Sequence, residues 1–104
     1  MAQDYRSLES FPESKVFTSD GTNLNATEIL LPKQCSRVQI GSVTHAIRIA
    51  SSGTDGAAMG ADYQFVPANN LLTLRFGKGT TRKDSIFVAV DASNVTVHLT
   101  MEEL

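Results

Sequence analysis

The reading turns on Ser85-Ile86-Phe87-Val88-Ala89-Val90-Asp91 and on Asn94-Val95-Thr96-Val97-His98-Leu99-Thr100-Met101, which follows it after a two-residue gap. In the later segment Val95, Val97, Leu99 and Met101 alternate with Thr96, His98 and Thr100, the period of a strand with one buried face. The earlier segment is apolar at every position from Ile86 to Val90, which predicts a central strand or one whose outer face meets another chain. Phe87 lies opposite Ile86, Val88 and Val90 in that register and would leave an apolar ring outside a monomeric sandwich, so it is a candidate contact between copies. The short polar link Asp91-Ala92-Ser93-Asn94 predicts that the two segments form an antiparallel hairpin.

Working outward, the same alternation marks residues 71 to 76, with Leu72, Leu74 and Phe76 against Thr73 and Arg75. It also marks residues 36 to 40, with Val38 and Ile40 inward, and residues 45 to 50, with Ile47 and Ile49 inward. Weaker strand patterns lie at 15 to 18, 25 to 31 and 63 to 66. About eight short strands separated by turn formers, with no helical periodicity, predict an all-β fold, an antiparallel jelly-roll-like β-sandwich over residues 15 to 104. Residues 1 to 14 read as an N-terminal arm, with Tyr5, Leu8 and Phe11 as anchors for a neighbouring copy or an underlying surface. Residues 51 to 62, rich in Gly, Ser and Ala, read as a long mobile loop.

The 104 residues fit one domain, with 41% hydrophobic and 19% charged residues, a globular balance. The net charge of -2, with both signs interspersed, draws the chain to neither nucleic acid nor an anionic membrane. Cys35 is the one cysteine and has no disulfide partner within the chain, which points to synthesis in a reducing cytoplasm. There is no leader pattern at the opening Met and no apolar run long enough to span a bilayer, so a complete, unexported chain is expected.

No catalytic constellation is legible, and no enzymatic activity, cofactor or metal is expected. Gly77-Lys78-Gly79-Thr80-Thr81 lacks the spacing and the helix of a phosphate loop. Cys35, His45 and His98 lie too far apart in sequence for a local metal site, and Asp55 and Asp62 do not form the oxygen series of a calcium loop. Arg75, Lys78, Arg82 and Lys83 fall close together. A hairpin through residues 77 to 81 would gather them as a basic patch, suited to an acidic protein partner; with no aromatics interleaved to stack bases, nucleic acid is not expected.

From Leu30-Leu31-Pro32-Lys33-Gln34-Cys35-Ser36-Arg37-Val38-Gln39-Ile40-Gly41, through His45 to Ala50 and Val66-Pro67-Ala68-Asn69, to Ser85–Val90 and Val95 to Leu99, the chain resembles small virion accessory proteins of tailed bacteriophages. Among these it is similar to capsid decoration, or cement, proteins. The resemblance covers residues 24 to 101 in strand pattern and turn placement. It implies a non-enzymatic structural protein on the capsid surface of the virion, made in the host cytoplasm. Such a protein would be a homo-oligomer, trimer or dimer, whose partner is the major capsid protein. The competing expectation is a carbohydrate- or receptor-binding β-sandwich of a tail or head fibre. The absence of Trp and the presence of only two Tyr weigh against sugar stacking.

Overall fold

A computed structural model describes residues 2–19, 24–76, 85–92 and 94–103. Nine strands form among them: β1 (Gln3–Asp4), β2 (Glu13–Thr18), β3 (Thr27–Leu30), β4 (Cys35–Gly41), β5 (Ile47–Ala50), β6 (Gln64–Val66), β7 (Leu72–Arg75), β8 (Ser85–Val90) and β9 (Thr96–Glu103). All eight expected strands are present with ends within two residues of the alternation that marks them, and β1 is additional. The described residues contain no helix. The strands make a five-stranded sheet in the order β1-β3-β8-β5-β6 and a four-stranded sheet in the order β2-β9-β4-β7.

One core lies between the two sheets. Ile29, Ile47, Ile49, Ile86, Val88 and Val90 enter it from the larger sheet; Phe17, Val38, Ile40, Val97, Leu99 and Met101 enter it from the smaller. Alternation therefore identifies the inward residues of every long strand correctly. Leu72 and Leu74 are only half-buried, because β7 is the edge of its sheet and has a neighbour on one side alone. At the start of β4 the register with β9 shifts between Cys35 and Arg37, a bulge that lets the consecutive Cys35 and Ser36 both be buried.

The expected terminal hairpin does not form. β8 pairs with β3 and β5, whereas β9 pairs with β2 and β4 in the other sheet. The link between them is a corner, with Asn94 in the left-handed region at φ 58°. The Ser19 hydroxyl fastens this corner, donating to Ala92 O at 3.2 Å and accepting from the Val95 N–H at 2.9 Å. Along the chain β5 and β6 are the one consecutive pair of described strands that are hydrogen-bonded neighbours; the other connections cross between sheets.

Residues 1 to 14 also differ from an arm reaching outward. β1 adds parallel to β3, with Gln3 opposite Ile29, and the Tyr5 N–H donates to Leu30 O at 2.9 Å. Tyr5, Leu8 and Phe11 are half-buried against the chain's own core, and β2 begins at Glu13, inside the segment assigned to the arm. The physical reason is that the larger sheet has a free β3 edge and a core margin near it, which these side chains cover. Burial pushes the Tyr5 phenol above its ordinary value. Beside it the Arg6 guanidinium grips the Asp4 carboxylate at 2.9 and 2.7 Å and holds its pKa down to about 2.

Two outcomes follow from this packing. In urea unfolding, Leu99→Ala should cost about 2–5 kcal/mol and Leu74→Ala less, while the exposed Thr96→Ala should stay within about 0.5 kcal/mol. Deletion of residues 1 to 11 should lower the thermal midpoint by more than about 5 °C, since it strips a strand and three core-facing side chains; a midpoint equal to that of the full chain would show that the segment contributes nothing to the fold.

Candidate functional site

The two outer faces are treated differently by the chain. On the larger sheet the outer face of β8 carries Phe87 and Ala89, and both are buried. Residues 51 to 62 lie over it: Met59 packs on Phe87, Ala26 and Ala50, and a β-carbon at Gly53 would sit 3.3 Å from Phe87 Cγ. Backbone bonds tie this loop down, from Ala26 N–H to Ala57 O at 2.8 Å, Gly56 N–H to Ala26 O at 2.8 Å and Met59 N–H to Leu24 O at 3.1 Å. The Asp55 carboxylate adds a cap, accepting the Glu28 N–H at 2.9 Å. Phe87 is thus an intramolecular core residue, 7% exposed, and not a contact between copies. The 51 to 62 segment is a fastened cover where a mobile loop was expected.

The outer face of the smaller sheet is open. Register places its outward residues in rows: Val16, His98 and Gly41 in one, then Ser14, Thr100, Gln39 and Thr73 in the next. The hydroxyls of Ser14 and Thr100 are hydrogen-bonded at 3.1 Å. At one end of the face Arg37 stands between Arg75 and Glu102 and is ion-paired with Glu102. Arg75 is exposed at this end, while Lys78, Arg82 and Lys83, the rest of the expected basic patch, lie outside the described residues.

At the opposite end the face opens into two adjoining clefts of about 300 Å³ each. Val43 and His98 line both and form the ridge between them. The first is completed by Gly41, Ser42 and Asn69-Asn70-Leu71; the second by Thr44, His45, Ala92 and Asn94-Val95-Thr96. The fold thus brings His45 and His98 to one cleft, although nothing in their spacing shows it. Val43 and Leu71 are 61% and 64% exposed, unusual for aliphatic side chains beside a cleft. No group of three or more His, Cys, Asp or Glu gathers among the described residues, and Cys35 is buried in the core.

The walls of the first cleft are fixed by backbone. Asn69 adopts φ 61° and its N–H donates to Ser42 O at 2.8 Å. The loop passes so close to β4 that a β-carbon at Gly41 would clash with the Asn70 carbonyl oxygen and press on Leu71. Asn70 Nδ2 donates to Ala68 O at 3.0 Å, which orients the amide. Ser42 is buried, and its hydroxyl has no partner among the described residues. Sequence reasoning misses Ser42, Asn69, Asn70 and Asn94 as a group, since they come from three segments and each reads locally as a turn residue.

The close approach at Gly41 yields a direct test. Gly41→Ala should lift the loop at residues 69 to 71 from β4 and cost about 1–3 kcal/mol in urea unfolding, with amide shifts confined to both clefts' walls; an unperturbed stability would mean that the contact does not hold the loop.

No protein-family model, curated protein or solved structure matches the chain.

Proposed function

We propose that the chain is a non-enzymatic structural virion protein of the capsid decoration type, which binds the lattice of a tailed phage's major capsid protein through the outer face of the β2-β9-β4-β7 sheet. The strand order carries this reading. Setting β1 aside, β2-β9-β4-β7 opposite β3-β8-β5-β6 matches the order expected of two interwound Greek keys, which supports a jelly roll, an architecture that recurs in viral capsid and lectin domains. Fold does not by itself confer function; the docking face is argued from the asymmetry of the covers. The chain covers the β8 part of the larger sheet with its own residues 51 to 62, whereas no described residue covers the smaller one, which has mostly uncharged side chains in its middle rows and Val16 59% exposed. Such a face suits a broad, flat contact repeated over a lattice, where many weak contacts act together.

In this reading the protein acts as a trimer or dimer. Since Phe87 is enclosed, contacts between copies fall to exposed apolar groups such as Phe65, 53% exposed on β6. Residues 1 to 14 would serve as an arm only by exchanging their contacts on the home core for the same contacts on a neighbour, as in a domain swap.

The test is co-sedimentation with capsids assembled from the major capsid protein of the same genome. The full chain should sediment with them, and a Val16→Glu, Thr73→Glu double variant should lose at least tenfold in affinity while keeping its thermal midpoint. Failure of the full chain to sediment, or equal binding by the variant, would defeat the reading.

A further inference from the structure

We propose that the two adjoining clefts at the end of the smaller sheet form one binding site for a neutral saccharide, with one sugar ring in each cleft and the ridge of Val43 and His98 between them. This inference stands apart from lattice binding and does not depend on it.

The lining decides the ligand class. No Asp, Glu, Lys or Arg side chain lines either cleft among the described residues. An anionic or cationic ligand entering there would give up hydration and meet no opposite charge from the described residues, which is costly. A purely apolar ligand fails for the converse reason, because it would displace water from the amides of Asn69 and Asn94 and the imidazole of His98 and offer them no partner. Amides, hydroxyls and neutral imidazoles each combine donor and acceptor capacity. Saccharide hydroxyls have the same dual capacity, and the C–H faces of a pyranose match the exposed methyl groups of Val43 and Leu71.

Three further observations support a built site. Each cleft is about 300 Å³, the lower end of the range for small-ligand sites and in scale with a single ring. Each has one asparagine wall in the left-handed region, Asn69 at φ 61° and Asn94 at φ 58°, a conformation that Asn tolerates better than most residues and that sets the path of the wall. Ser42, 3% exposed, lines the first cleft with its hydroxyl unpartnered; a buried hydroxyl left so costs about 1–3 kcal/mol and calls for an explanation. A ligand hydroxyl would supply the missing bond once the Ser42 side chain, enclosed in the unliganded protein, turns toward the cleft. The bonds from Asn69 to Ser42 O and from Asn70 to Ala68 O hold the walls before any ligand arrives, which keeps the ordering cost of binding low.

The experiment uses the isolated full chain, with no capsid present, on a printed array of neutral, sialylated and sulfated glycans. The strongest neutral glycan is then titrated while backbone amide NMR shifts are followed. The expected result is binding to neutral glycans in preference to acidic ones, with shifts at Ser42, Val43, Asn69 and His98. His98→Ala and Asn70→Ala, both at exposed positions, should each weaken binding at least tenfold with the thermal midpoint unchanged. Absence of binding to every neutral glycan, preference for acidic glycans, or full affinity in both variants would overturn the proposal. Because lattice binding is read in a separate sedimentation assay, either reading can fail alone.

Discussion

A strand that is apolar on both faces must be covered on both, and β8 imposes that requirement on everything around it. Ile86, Val88 and Val90 fill the space between the sheets. Phe87 and Ala89 look the other way and would meet water if the sheet ended there. The chain meets the need with residues 51 to 62, laid across Phe87 and bonded to the backbone at residues 24 to 28. The approach is close enough that a β-carbon at position 53 would press on the ring, 3.3 Å from Phe87 Cγ. Placing β8 in the middle of its sheet, between β3 and β5, follows from the same need, since an edge position would leave one flank and one face open together.

Covering one face fixes the role of the other. The smaller sheet carries Thr, Ser and Gln where the larger carries Phe and Ala, so it tolerates water and needs no lid. Its β2 edge carries Glu13 and Lys15 on the same side as the buried Phe17, ion-paired at 3.6 Å. Charges on the inward side of an edge strand discourage pairing with another strand. Strand addition at this edge is thereby opposed, while the face and its ends are left accessible among the described residues. One end holds the Arg75, Arg37 and Glu102 row, and the other holds the uncharged clefts. A single sheet face thus offers two chemically distinct termini, one suited to charge and one to hydrogen-bonding neutral groups.

Period-two alternation makes the strands and their inward residues legible, because side-chain direction is a local property of an extended chain. It carries no information about which strands are neighbours. The link from Asp91 to Asn94 suits a hairpin turn and a corner between sheets equally well, and only Ser19, far away in sequence, settles the matter by bonding both sides of the corner. Leu72 and Leu74 alternate as cleanly as Val97 and Leu99, yet they are half-buried because edge position is decided by distant pairing. Tyr5, Leu8 and Phe11 show the same limit. Their spacing announces anchors, but whether the groove belongs to this chain or to another depends on the free edge of β3, which no local pattern records. The cover over Phe87 is equally hidden, since Gly53 and Met59 take their meaning only from what lies beneath them.

The clefts arise from the topology that defeats the hairpin expectation. When successive strands cross between two sheets, their connections collect at the ends of the molecule, and segments remote in sequence are set side by side there. Residues 41 to 45, 69 to 71, 92, 94 to 96 and 98 meet in this way. Turns favour Asn, Ser and Thr because these side chains bond to nearby backbone and tolerate left-handed angles, so a meeting of turns is rich in amides and hydroxyls before any ligand is considered. Much of that polarity is consumed locally: Asn70 on Ala68, His45 on Thr44, Ser19 on the corner. What separates a site from an ordinary cluster of turns is polar capacity left over on a fixed frame. At this end of the sheet the frame is set by Gly41 and the Asn69 N–H, and the Ser42 hydroxyl is capacity that the chain itself does not use.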